Sequence, residues 1–223
     1  DCDLLYGVTP GIESEYYPES FDINKWRFTI YLQNAPTECD SLMFAFPHYD
    51  LDAMKQLFCL LVEGLAGDIH DFLGALYMEQ ELGADEMGQY FSPSSISRLM
   101  AGLLMPGAQE TIKREGWMTL DEPACGSAGM VIAFAYWMTD AGYNPSEQLY
   151  ATCTDIDPMV ADMAFIQLAL LGIPAKVVTG NTLTLKANRV RYTPVYYFND
   201  WQGRLAFRSR LDAMKNFLAT VAA

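Results

Sequence analysis

The chain has 223 residues, 51% of them apolar and 19% charged, with 28 acids against 14 Lys and Arg. That size and composition build one large domain, or one domain with an appendage, and exclude a disordered chain. A formal charge of −14 excludes, for the chain taken whole, the basic surface that draws a protein nonspecifically to nucleic acid.

Residues 1–24 are polar and carry Gly and Pro, and read as irregular. Trp26 to Leu32 alternates and is rich in β-formers, so it reads as a strand; Ser41 to Phe46 is a second, and the two form a hairpin. From Asp52 to about Leu82 apolar residues recur at helical spacing (Met54, Leu57, Phe58, Leu61, Leu65, Ile69, Phe72, Leu73, Leu76), with Gly64 and Gly67 splitting the run into two helices. Met87 to Pro93 is a loop. Pro93 suits a first-turn position, Ser94 to Met105 reads as a helix, and Pro106-Gly107 ends it.

The pattern then changes to alternating strands and helices. Met118 to Asp121 is a strand, Gly126 to Gly129 a turn and Met130 to Ala141 a helix. Tyr150 to Ile156 is a strand, Pro158 to Leu171 a helix, Lys176 to Val178 a strand and Val195 to Phe198 a last strand, before a helix from about Leu205 to Leu218. Strands alternating with helices specify a parallel α/β sheet. The expected division is an acidic hairpin and helical region over residues 1–86 and an α/β domain over 87–223.

Charge is unevenly spread. Residues 1–90 hold 17 acids and three bases, and residues 91–223 eleven of each. Between Lys186 and Lys215 seven bases (Lys186, Arg189, Arg191, Arg204, Arg208, Arg210, Lys215) face only Asp200 and Asp212, a net +5. A charge run is usually a solvated face. The alternative makes this the one segment suited to DNA, with Tyr192, Tyr196, Tyr197 and Trp201 interleaved as stacking platforms or as packing.

Five cysteines (Cys2, Cys39, Cys59, Cys125, Cys153) without a CxxC pair fit reduced thiols better than a disulfide frame or zinc site. With His48 and His70 the only histidines, no metal centre is expected and a Ser-His-Asp triad has little material. No apolar run approaches the roughly 20 residues of a membrane span, and Asp1-Cys2-Asp3 does not open a signal peptide, so a cytoplasmic location is expected.

The segment Asp121-Glu122-Pro123-Ala124-Cys125-Gly126-Ser127-Ala128-Gly129-Met130 lies where a strand ends and a helix begins. Small residues there admit a ligand to the backbone, and the helix N-terminus adds amide donors. No Gly-Lys-Ser/Thr follows, so this is no triphosphate loop. The spacing is not GxGxxG, and Asp155 comes later than the ~20 residues typical of a nicotinamide fold. An ordinary tight βα turn remains the other reading of these residues alone.

Pro123-Ala124-Cys125-Gly126-Ser127-x-Gly129 resembles the cofactor motif of N6-adenine DNA methyltransferases, above all the modification subunits of type I restriction enzymes. Glu122 stands for that family's Asp and Ala128 for a Gly. Three more segments follow the family's order. Gly88-Gln89-Tyr90-Phe91-Ser92-Pro93 is similar to the loop that closes over S-adenosylmethionine. Thr154-Asp155-Ile156-Asp157-Pro158 is similar to the strand-end acid motif, in which Asp155 would accept from the ribose hydroxyls. Gly180-Asn181-Thr182-Leu183 is similar to a segment whose acid contacts the adenine amine, and Asn181 would accept through its carbonyl oxygen.

The resemblance implies a Rossmann-like S-adenosylmethionine-dependent methyltransferase sheet, shortened in this chain, with S-adenosyl-L-methionine as cofactor. It assigns cofactor contacts to Gln89, Tyr90, Phe91, Ser92, Pro93, Glu122, Pro123, Ala124, Cys125, Gly126, Ser127, Gly129, Asp155, Ile156, Asn181, Thr182 and Leu183. It covers roughly residues 52–185, and residues 1–50 match nothing in it.

The resemblance stops at the catalytic motif. Family members carry Asn/Asp-Pro-Pro-Phe/Tyr after the fourth strand, where the Asn holds the target amine and the ring stacks on the extruded base. In this chain the place after Val195-Tyr196-Tyr197-Phe198 reads Asn199-Asp200-Trp201-Gln202, with no proline. Asn199 is the catalytic candidate; a plain strand end with Trp201 as packing is the alternative. Only 25 residues follow Phe198, too few for the family's remaining sheet, so either the sheet is truncated or the 26–46 hairpin fills part of its edge; an unfilled edge would invite a protein partner or a second copy. Two functions stand: a methyltransferase acting on DNA adenine, and a catalytically silent cofactor-binding module that works in restriction–modification or anti-restriction through protein partners. Methylation of protein or small molecules is a third and weaker reading.

Overall fold

The computed structural model describes residues 48–79 and 91–221. The expected hairpin strands, and Gln89 and Tyr90 of the loop, lie outside the described residues. The chain divides into two compact units, residues 1–56 and 57–223. The described part of the first is the opening of helix α1 (His48–Ala66). The division falls well before residue 86, because α2 (Phe72–Glu79) is hydrogen-bonded into the unit that holds the sheet.

The Gly64 and Gly67 break appears as read: α1 ends at Ala66 and α2 starts at Phe72. A Cβ on Gly64 would stand 2.6 Å from the Phe72 ring, so glycine lets the ring lie against α1. Helix α3 runs Ser94–Glu115, straight through Pro106. The expected stop at Pro106-Gly107 is corrected: the helix ends at Gly116, left-handed at φ 84°, whose N–H donates to the Ile112 carbonyl at 2.8 Å. An interior proline costs about 3 kcal/mol. Ala101, Met105, Ala108 and Ile112 form one buried stripe spanning the proline, and burying a side chain the size of Met or Ile returns about 1.5–3 kcal/mol. The stripe outweighs the proline.

Beyond α3 the chain is β1 (Met118–Glu122), α4 (Gly129–Asp140), α5 (Pro145–Gln148), β2 (Leu149–Asp155), α6 (Pro158–Leu170), β3 (Ala175–Asn181), β4 (Lys186–Tyr192), α7 (Pro194–Phe198) and α8 (Trp201–Val221). One sheet has the order β1-β2-β3-β4. The first three strands are parallel, and β4 returns antiparallel to β3 with Asn181 opposite Lys186 and Lys176 opposite Tyr192. The outer edge of β1 pairs with no strand among the described residues.

Two corrections meet at the end of the chain. Val195–Phe198 is not a strand but the short helix α7, with Pro194 at its first position, where a fixed φ and a missing N–H suit a helix start. The fourth strand is the basic segment Lys186–Tyr192. Its charges hid it. Arg189 and Arg191 both pair with Asp162 of α6, and Arg191 also lies over the Phe165 ring at 4.4 Å.

The strands sort side chains by alternation. Leu149, Ala151 and Cys153 of β2 enter the main core with Val131, Phe134 and Met138 of α4 and Ala161, Ala164 and Leu168 of α6. Tyr150 points to the other face, into an aromatic cluster with Tyr196 of α7 and Trp201 of α8. Asp157 caps α6, accepting from the Met159 N–H at 2.8 Å, and Pro158 opens it. The parallel strands therefore end together at Glu122, Asp155 and Asn181.

Candidate functional site

The turn after β1 closes on itself and on β2. The Cys125 N–H donates to the Thr154 carbonyl at 2.9 Å and the Ala128 N–H to the Cys125 carbonyl at 2.8 Å. Gly126 (φ 55°) and Ala128 (φ 75°) are both left-handed. Glycine takes that conformation freely; alanine pays roughly 1–2 kcal/mol in steric strain.

Asp155 joins two of the predicted segments. Its Oδ2 accepts from the Gly126 N–H at 2.9 Å and its Oδ1 from the Asp157 N–H at 3.0 Å. A carboxylate oxygen has two lone pairs, so acceptor capacity remains for a ligand hydroxyl. Thr182 joins a third segment, its hydroxyl donating to the Pro123 carbonyl at 2.5 Å. Asn181 has a local duty: Oδ1 accepts from the Leu183 and Thr184 N–H groups at 3.0 and 3.1 Å, and so closes the turn into β4. Ile156 and Leu183 are exposed beside them.

Phe91 brings in the fourth segment. Its ring packs on Tyr77 of α2, with centroids 5.3 Å apart, and a Cβ on Gly126 would come within 3.1 Å of it. Phe91, Ser92 and Pro93 form one wall of a cavity of about 260 Å³. Asp71 and Gly74 of the α2 start, Ser97 and Arg98 of α3 and Gly129 of α4 also line it. Ser97 is buried, yet its hydroxyl has no hydrogen-bond partner among the described residues. Arg98 lies beside it, paired with Asp68 at 2.7 Å and stacked over Tyr136 at 4.1 Å.

Burial pushes the Glu122 carboxyl above its ordinary range; the Ala124 N–H opposes this and the neighbouring Asp121 charge adds to it. The Cys153 thiol is raised well above its usual value by a hydrogen bond to Cys125, then by burial and by nearby negative charge. Both cysteines are buried, so Cys153 stays a protonated packing group and not a nucleophile.

Residues 62–196 match the sequence model of the N-6 DNA methylase family, more than half of the chain. The chain belongs to the N-6 DNA methylase family. No curated protein and no solved structure gives a match. Among the described residues of this N-6 DNA methylase relative no cluster of His, Cys, Asp and Glu is placed to hold a metal, and no helix is long and apolar enough to cross a membrane.

Asn199 stands elsewhere. Its Nδ2 donates to the Ser146 carbonyl at 3.0 Å, and the Trp201 indole N–H donates to the same oxygen at 3.1 Å. Ser146 lies just before β2, at the strand starts, whereas the glycine turn is at the strand ends. Asn199, the catalytic candidate, is thus held at the opposite end of the strands from the glycine turn, behind the short helix α7. Trp201 is fully buried, stacked on Tyr150 at 5.7 Å and edge-on to Trp117 at 5.2 Å. It is packing, as the alternative reading held.

The basic segment is largely committed to the chain itself. Arg189 and Arg191 pair with Asp162, Arg208 pairs with Glu115 and Asp212, and Arg204 lies 3.9 Å over Trp201 while donating to the Glu147 carbonyl at 2.7 Å. Tyr192 and Tyr196 stack on each other at 4.3 Å.

Asp71, Ser97 and Arg98 of the cavity escaped the sequence reading, and so did Gln167, which donates to Asp71 Oδ1 and to the Ser127 carbonyl. Gln167 carried a signal, being one amide on a helix, Pro158–Leu170, whose other buried residues are all apolar. Asp71 carried another, a carboxylate ahead of a helix start and three residues before Gly74.

Proposed function

We propose that this chain is an S-adenosylmethionine-binding protein with a Rossmann-like methyltransferase core, and that methyl transfer to DNA adenine needs residues beyond the described ones. One observation carries the reading: four segments distant in sequence, around Phe91, Gly126, Asp155 and Thr182, are tied to one another at the strand ends. The residues fit the cofactor. Asp155 has lone pairs left for ribose hydroxyls. The cavity between Phe91–Pro93 and Gly129 offers the buried Ser97 hydroxyl and the Arg98 cation to an amino-acid end. When bound, the cofactor supplies an electrophilic methyl group, and the chain holds and orients it.

Nothing comparable is in place for the target base among the described residues. The segment 199–202 is bonded to the strand starts, and most of the basic segment is already paired. A partner that brings the amine-accepting residues and the DNA-binding surface accounts for both facts.

Titration calorimetry with S-adenosylmethionine is the first test, with saturable binding expected and a flat titration overturning the proposal. Incubation with methyl-labelled cofactor and adenine-containing DNA is the second. No transfer is expected from the chain alone; efficient transfer would make it the complete enzyme that its family membership also allows.

A further inference from the structure

Gln167 is fully buried on α6, and its side chain spends every hydrogen bond on distant segments. Nε2 donates to Asp71 Oδ1 at 2.9 Å and to the Ser127 carbonyl at 2.9 Å, and Oε1 accepts from the Leu73 N–H at 2.9 Å. Asp71 closes the network: Oδ1 also accepts from the Gly74 N–H at 2.9 Å, and Oδ2 accepts from the Ser127 hydroxyl at 2.6 Å. Gly74 and Gly129 make room for it, since a Cβ on either would run into the Asp71 carboxylate. A leucine at 167 would suit this apolar helix without a buried amide to satisfy. The amide therefore serves geometry.

What it holds is the peptide joining Ser127 to Ala128. The carbonyl end is held by Gln167 and the N–H end donates to the Cys125 carbonyl. A peptide unit turns as a rigid plane. A flip of this one would carry Ala128 out of its left-handed conformation at φ 75° and relieve the strain an alanine bears there. Strained residues persist only where their surroundings over-determine them. We propose that Gln167 and Asp71 are positioning residues that lock the Ser127–Ala128 peptide against this flip and so keep the glycine turn shaped for the cofactor. The inference rests on the cofactor-binding reading. It is specific to a chain with alanine at 128.

The test uses the full chain, with S-adenosylmethionine as probe and circular dichroism to verify folding. Gln167→Leu is expected to weaken binding at least tenfold, and adding Ala128→Gly, which removes the strain that drives the flip, to restore most of it. A general packing defect would not be rescued in this way, so a weakened variant without rescue overturns the inference. Ser127→Ala, which deletes only one hydroxyl, covers the case in which Gln167→Leu does not fold, and its binding loss and rescue are read alike. Hydrogen exchange needs no cofactor. Faster exchange of the 126–130 amides in the variants is expected, and unchanged exchange there overturns the lock. Wild-type protein that binds no cofactor overturns the reading beneath it instead.

Discussion

Glu122 is a carboxylate beside the glycine turn whose titration the fold shifts upward. Its carboxyl titrates above the ordinary glutamate value of 4.5 because it is half buried next to Asp121. In the window between that value and the raised one, the folded chain binds more protons than the unfolded chain, so stability falls as pH rises through the window and stays lower above it. Glu122→Gln removes the penalty. Thermal melts are expected to give the variant a higher Tm than wild type near neutral pH, with the gap closing below the ordinary glutamate range; a constant gap across pH would refute a titrating Glu122 as its origin. Asn199 and Trp201 separate in the same manner. Trp201→Ala is expected to cost about 3–5 kcal/mol by opening the aromatic cluster, while Asn199→Ala, which loses one of two donors to the same carbonyl, costs about 0.5–1.5 kcal/mol and leaves cofactor affinity unchanged. Cofactor affinity lost with Asn199→Ala would return that side chain to the binding site.

The elements were readable wherever pattern and position agreed. The βα alternation from Met118 to Val178, the two helices parted by Gly64 and Gly67, and the start of α6 at Pro158 all follow from local spacing. Two failures have physical causes that a one-dimensional reading lacks. Pro106 read as a stop because the stripe of Met105, Ala108 and Ile112 acquires its value only against α4. Val195–Phe198 read as a strand because its residues favour one, yet Pro194 and burial of Tyr196 beside Trp201 make it a helix. Pro106 predicts its own measurement. Pro106→Ala is expected to raise stability by about 1–3 kcal/mol, since it restores a helical N–H and removes the ring clash. For a chain of this size each kcal/mol moves Tm by about 2–4 °C. A lowered Tm would mean that the helix is broken at this point.

The described residues of the larger unit set a four-stranded sheet between one well-filled core and an aromatic cluster on the other face. On its outside, Ile96, Leu99, Met100, Leu103 and Leu104 follow helical spacing along α3 and are all exposed, Leu103 at 74%. Together with the outer edge of β1, strandless among the described residues, this is more apolar and unpaired surface than a solitary domain keeps comfortably. Sedimentation at rising concentration is expected to show association, and Leu103→Lys to reduce it; identical behaviour of the two proteins would clear α3 of any part in it. The four strand-end segments were singled out in the sequence by their resemblance to one family's motifs taken in order. Their support could not be, because Asp71, Ser127 and Gln167 lie far apart in the chain and meet only once the sheet is built.

One contact makes the molecule its own instrument. The Trp137 indole N–H on α4 donates to the Arg98 carbonyl at 2.7 Å, and Arg98 lines the cavity assigned to the amino-acid end of the ligand. Trp117 and Trp201 sit together in the aromatic cluster at the strand starts, with Arg204 against both rings. Among the described tryptophans, Trp137 is thus the one beside the cavity, and the Trp117–Trp201 pair lies away from it. Near-ultraviolet dichroism and emission from Trp137 could then follow binding on the millisecond scale, without any added dye.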